Sequence, residues 1–183
     1  MDDANQPSTM PALLARLTAQ RGAHEAVVTS GGTLTYTELE VRSARLARAL
    51  LAAGAGKGAR IALLAPDGVF WLTTYLAALR IGALLTLVST LCAPPELAHI
   101  LRNSDCQYLL AARRFLSHDY AATLEAALPG LADGHAGELR LPDAPYLRAI
   151  WLDEAEGLGW ARPLGELEAL ADAPGAPSAV ILA

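Results

Sequence analysis

GAGKGAR, running from Gly54 to Arg60, has the look of a nucleotide loop. Backbone N–H groups in glycine-rich turns cradle phosphates, and a lysine beside them neutralises charge. Its setting argues otherwise: the stretch follows a helical pattern and precedes a strand, whereas a P-loop follows a strand and opens a helix. Leu51 stands where the first glycine belongs, and Gly58 where a magnesium-binding hydroxyl belongs. The stretch is therefore read as a helix stop and a tight turn. Cys92, His99 and Cys106 recur every seven residues, which on one continuous helix would align three zinc-ligand types. Pro94 and Pro95 break such a helix, Cys106 falls in a turn before a strand, and no fourth ligand is indicated. Ser117-His118-Asp119 carries the residue types of a catalytic triad in a row, but a triad needs its base to bridge the other two side chains in space. Ser117 is read as a helix cap, and His24 and His135 as solvated loop residues. No catalytic, cofactor-binding or metal-binding residue is assigned.

The elements that would have to position such groups alternate along the chain. Pro11 to Ala19 predicts a short helix; Ala26 to Thr29 and the TLTY stretch after Gly31-Gly32 predict a hairpin. Thr35-x-x-Glu38 is a capping-box pattern opening a long helix, with Leu39, Leu46, Ala47, Leu50 and Leu51 at helical spacing up to Gly54. RIALLA (Arg60 to Ala65), ALLTLV (Ala83 to Val88) and QYLLAA (Gln107 to Ala112) predict strands. Between them lie one helix capped by Asp67 and ending at Ile81, and another from Pro94 to Asn103. Strands this uniformly apolar are covered on both faces, and joining helices imply parallel pairing, so the fold class is α/β with a doubly wound, mostly parallel sheet. The aromatic residues of the Gly68 to Ile81 helix are read as core packing. Beyond Ala112 the pattern gives a helix from His118 to Leu128, a Gly/Pro-studded flexible connection over 129–147, a strand RAIWL (Arg148 to Leu152) and a short helix from Pro163 to Ala171.

Composition narrows the class. A chain that is 53% hydrophobic with a net charge of −5 holds no cluster of lysine and arginine, so nucleic acid and anionic membrane surfaces are excluded as partners. The apolar run from Gly68 to Ala93 is long enough to span a bilayer, but Arg80 near its middle would cost roughly 2.5 to 3.5 kcal/mol on insertion scales. It is read instead as a buried helix followed by a buried strand. Two cysteines and the absence of a signal-peptide pattern point to a reducing, cytoplasmic setting.

LTYTEL (Leu34 to Leu39) resembles the first core motif of the adenylate-forming superfamily of acyl-CoA synthetases, and LRIGALLTLVS (Leu79 to Ser89) is similar to the second. The helix, glycine turn, strand and buried helix between them follow the family's order, as do PPELAHILRNSDCQYLLAA and its strand after them. Ala59 departs from the aspartate that relatives often carry. The resemblance implies that residues 1–183 are a truncated N-terminal AMP-binding domain. It also implies a full-length ligase that joins a carboxylic acid to coenzyme A through an acyl-adenylate, using ATP and Mg. Thr35, Tyr36, Glu38 and Gly82 match motif positions, but their evident roles are capping, packing and helix termination. The closing APSAVILA (Ala176 to Ala183) is read as a strand leading into the family's phosphate loop, so the chain is expected to be inactive alone. Two other readings stay open: a short flavodoxin-like binding module, and an interaction fragment that self-associates through an exposed sheet edge.

Overall fold

A computed structural model describes residues 9–29 and 32–177. Helix α1 (Met10–Arg21) is followed by the antiparallel hairpin β1 (Glu25–Thr29) and β2 (Gly32–Thr35). The rest is built on one sheet: α2 (Tyr36–Ala52), β3 (Arg60–Leu64), α3 (Val69–Arg80), β4 (Leu84–Leu87), α4 (Pro94–Asn103) and β5 (Tyr108–Ala111). A small hairpin, β6 (Arg114–Phe115) with β7 (His118–Asp119), leads into α5 (Tyr120–Ala127), β8 (Ala149–Leu152), β9 (Arg162–Pro163) and α6 (Leu164–Ala169). The five-stranded sheet has the order β4-β3-β5-β8-β9, with every pair parallel. The chain steps from β3 to β4 on one side and then back across to β5 on the other. Right-handed crossovers therefore put α3 and α4 on opposite faces. Helix α2 packs on α3, and α4 on α5, completing the doubly wound arrangement expected from the apolar strands. Ile61, Ala62, Leu63 and Leu64 of β3 and all of β5 and β8 are buried.

The same device turns helix into strand three times. At the end of α2, Ala55 N–H donates to Leu50 C=O at 2.9 Å and Gly54 N–H to Leu51 C=O at 3.0 Å, the paired bonds of a Schellman cap. GAGKGAR is thus the turn its context indicated, and Gly58 N–H ties it to the Gly82 carbonyl at 2.8 Å. Gly82 closes α3 in the same way with φ +68°, and Asp105 closes α4 with φ +48°. Each cap aims the chain straight into the sheet, at β3, β4 and β5 in turn.

Two caps differ from expectation. Asp67 stands one residue too early: the N-cap of α3 is Gly68, which has no side chain to offer the first N–H groups. Ser117 sits in the β6–β7 hairpin, and the cap of α5 is Asp119, whose Oδ1 accepts from Ala121 and Ala122 N–H. Strand β9 was not anticipated, because two residues leave no periodic pattern. Over 129–147 there is neither helix nor strand, yet Leu131, Leu141, Ala144 and Leu147 of this stretch are buried. The strand expected at the C-terminal end lies in 178–183, outside the described residues.

Candidate functional site

In a sheet of this order ligands bind outside the carboxyl ends of the strands where the winding direction reverses, here between β3 and β5. Two cavities open there. One, about 360 Å³, is walled by Pro66 and Asp67 after β3, Ser89 and Thr90 after β4, Phe115 after β5, and Trp71 of α3. The other, about 320 Å³, lies between β1 (Val27, Val28) and the start of α3, and shares Asp67 and Trp71 with the first. Trp71 is the partition. Its indole stacks on Tyr75 at 5.2 Å with 7° between the rings, which fixes its plane. The aromatic residues of α3 do pack on the core, but at its margin: the fully enclosed positions are Thr74, Ala77 and Ala78. The helix looks apolar all round in sequence, and only the fold shows which side meets the cavities.

Behind the first cavity the chain is tied down by polar contacts. Tyr120 Oη donates to the Thr90 carbonyl at 3.1 Å; burial raises its phenol pKa, and this bond opposes the rise. Asp119 is raised by burial, but hydrogen bonds from Arg113 and from Ala122 and Ala121 N–H outweigh it and hold the carboxyl below its ordinary value. Arg113 N–H donates to Asp153 at 2.6 Å, linking the end of β5 to the end of β8. These contacts shape and orient. Among the described residues that wall the cavities, no nucleophile is paired with a base.

The motifs singled out by residue type are separated or structurally committed. His118 stacks on Tyr120 at 6.3 Å while Asp119 is clamped to Arg113, so Ser117-His118-Asp119 forms no relay. His99 bonds Asn103 one turn along α4 at 2.8 Å, and Cys106 donates to the Tyr108 carbonyl at 3.2 Å from inside the core. Among the described residues no three His, Cys, Asp or Glu side chains converge as metal ligands. Burial pushes the Cys106 thiol up to about 12, and burial together with Glu96 pushes that of Cys92 up to about 11. At pH 8, iodoacetamide is therefore expected to alkylate Cys92 about ten- to a hundredfold more slowly than a free cysteine, and Cys106 only on unfolding. Residue-resolved mass spectrometry reads this directly, and native-state labelling of Cys106 would contradict it.

Thr35, Tyr36, Glu38 and Gly82 lie at element junctions. Glu38 accepts from Thr35 N–H at 2.8 Å while Thr35 Oγ1 accepts from Glu38 N–H at 3.2 Å, a complete capping box. Donation to the carboxylate from Thr35 N–H, and from the Thr35 hydroxyl at 2.9 Å, is the main reason Glu38 lies below its ordinary value. Tyr36 packs on a small cluster of Leu14, Leu39 and Leu76 that joins α1 to α2 and α3. No helix among the described residues is long and apolar enough to cross a membrane.

The sequence model of the AMP-binding enzyme family matches residues 14–163. Over 118 residues the chain is 34% identical to the acyl-CoA ligase sidI of Aspergillus fumigatus, covering 63% of this chain and 20% of that protein. Over 127 residues it is 37% identical to a feruloyl-CoA synthase of Amycolatopsis, covering 68% and 25%. Among solved structures, a benzoate CoA ligase from Burkholderia xenovorans superposes with a TM-score of 0.70 at 24% identity, over 97% of this chain and 30% of that one. The anthranilate CoA ligase AuaEII, solved with anthranoyl-AMP, gives 0.71 at 19% identity over 97% and 31%. The chain thus spans about a fifth to a quarter of the length of the curated relatives it matches.

Proposed function

Because this chain belongs to the family of AMP-binding enzymes, we propose that it is the N-terminal region of an ATP-dependent acid–CoA ligase, acting in the cytoplasm on a carboxylic acid. Residues 1–183 form one incomplete domain in this reading; within the connection over 129–147, expected to be flexible, Leu131, Leu141, Ala144 and Leu147 are buried. The observation that carries it is the family match over residues 14–163, which reaches from α1 to β9 and includes Leu34 to Leu39 and Leu79 to Ser89. The relatives' named activities, acyl-CoA ligation and feruloyl-CoA synthesis, support an organic acid and coenzyme A as the substrate class. A self-contained flavodoxin-like module gains nothing from these relatives. It shares the strand order, and strand order alone carries no function.

The described residues do not fit a triphosphate or a magnesium ion. The one lysine-bearing glycine turn closes a helix, its glycines are spent on the Schellman cap and on the bond to Gly82, and no carboxylates converge. No step of adenylation is therefore derived from these side chains. What they supply is a rigid wall: the α3 start, Trp71 and the strand ends, against which further chain or a partner can close a site. Strand β4 is an edge, with Leu84 56% and Leu87 48% exposed, an apolar edge against which additional chain can pair.

The 183-residue chain alone is expected to give background rates of acid-dependent ATP–pyrophosphate exchange. Coding DNA on the 3′ side of the Ala183 codon is expected to encode a Thr/Ser/Gly-rich loop ending in Pro-Lys-Gly. Exchange above background by the isolated chain, or unrelated downstream sequence, overturns the proposal.

A further inference from the structure

Residues 164–172, which are α6 followed by the 3-10 turn Leu170–Asp172, lie along α2 after the last strand of the sheet. Little that is local holds them in shape. Six residues are too few for a helix to stand alone, Gly165 at its second position lowers the propensity further, and Pro163 at the N-cap makes no side-chain bond. The packing beneath is incomplete as well. Leu167 and Ala171 are the two fully buried side chains of the segment, but Leu164 and Glu168 meet α2 and α3 across a cavity of about 340 Å³ whose other walls include Leu46, Val69 and Phe70. Atoms that face such a gap lose the close contacts that bind one layer to the next. At the same seam Nε of Arg48, on α2, is buried without a hydrogen-bond partner, a cost that closure does not relieve.

Charge supplies what packing does not. Arg45 and Arg48 stand about one turn apart on α2, and Glu168 and Asp172 about one turn apart on the segment that covers it. Arg45 bonds Asp172 at 2.6 Å and faces Glu168, while Arg48 faces Asp172. The other charges on the cavity rim are turned to different partners: Arg42 faces Glu38, and Asp153 accepts from Arg113 N–H at 2.6 Å. Arg45 and Asp172 are 48% and 62% exposed, so dissolved salt reaches and screens their bond. We infer that residues 164–172 are a lid over this cavity, latched to α2 by the facing charges of Arg45, Arg48, Glu168 and Asp172, which opens as a unit while α2, α3 and the sheet stay folded. Opening uncovers Leu46, otherwise 3% exposed, and makes access to the cavity depend on ionic strength. The inference stands on these residues and not on the ligase reading.

Hydrogen exchange resolved by peptide on the 183-residue chain tests it. In low salt the amides of 164–172 are expected to exchange at least about tenfold faster than those of α2 and β5. Raising NaCl from about 20 mM to about 1 M should speed them a further two- to fivefold or so, with α2 and β5 changing no more than an unstructured reference peptide does. Asp172→Asn, an exposed change, should reproduce that acceleration in low salt and remove most of the response to added salt. The salt comparison needs no variant and decides the matter if Asp172→Asn does not fold. The inference is overturned if 164–172 exchanges at the rate of α2, or if salt leaves it unchanged. It is equally overturned if a folded Asp172→Asn variant exchanges like the parent, or if α2 and β5 accelerate together with the segment.

Discussion

Glu40→Ala is expected to destabilise the fold by about 2–3 kcal/mol, more than the removal of its partner Arg80. Arg80 is 2% exposed and donates to Glu40 at 2.7 Å and to the Ser43 hydroxyl at 3.3 Å, across the α2–α3 contact. Taking away the carboxylate leaves a guanidinium enclosed between two helices with only a neutral hydroxyl to satisfy it. That is the costly way to break a buried pair: about 3–5 kcal/mol when both partners are enclosed. Glu40 keeps 23% of its side chain in water, so solvent already screens it and the lower figure applies. Arg80→Met runs the other way. It leaves Glu40 next to solvent and replaces the arginine stem with a side chain of similar length, so a loss of about 1 kcal/mol is expected. The double variant Glu40→Gln with Arg80→Met should lie nearer the parent than Glu40→Ala does. Urea unfolding followed by circular dichroism ranks the three, and a Glu40→Ala variant no less stable than Arg80→Met would show that the pair does not hold α2 on α3.

That ion pair also marks how far the sequence can be read. Arg80 in the middle of an apolar run is visible from the sequence, and it counts against a membrane span, but its partner lies forty residues earlier on another helix. Local signals did better. The helix Pro94–Asn103 appears with its expected ends because proline starts it and a short polar turn stops it. The capping box at Thr35 and the glycine stop at Gly54 are likewise written in three or four adjacent residues. The misplaced caps came from competition among neighbours. Asp67 and Gly68 are both acceptable before a helix, and Ser117 and Asp119 are two residues apart. In the second case the decisive factor is Arg113, six positions back, which holds Asp119 where α5 begins. The cavities were least legible of all. Their walls come from strand ends, a hairpin and the first turns of α3, and no pattern along the chain distinguishes the ring of Trp71 from one packed wholly inside.

Trp160→Ala is the second large effect, at about 3–5 kcal/mol, the range for deleting an enclosed aromatic side chain. Trp160 is 1% exposed, and its indole N–H donates to Glu125 of α5 at 2.9 Å. It stands in the loop between β8 and β9, so one ring joins the far edge of the sheet to a helix on its face. It also holds the long connection before β8: a Cβ placed on Gly134 would lie 3.6 Å from the Trp160 Cβ and 2.9 Å from the Leu131 carbonyl oxygen, and Ala136 N–H bonds the Gly159 carbonyl at 2.9 Å. Against a total of about 5–15 kcal/mol for an ordinary domain, the loss is about a fifth or more of the stability available. The melting temperature should fall by about 10 °C. Trp160→Phe keeps most of the apolar contact and gives up the bond to Glu125, a residue with partial access to water, so about 1–2 kcal/mol is expected. Because the sheet centre at β3, β5 and β8 does not touch this bond, the alanine variant should lose protection first across 129–147 and β9 while the central strands stay protected. Hydrogen exchange resolved by peptide makes that distinction. Uniform loss of protection, with the central strands opening as early as 129–147, would mean that Trp160 belongs to the same cooperative unit as the sheet rather than pinning a separate layer onto it.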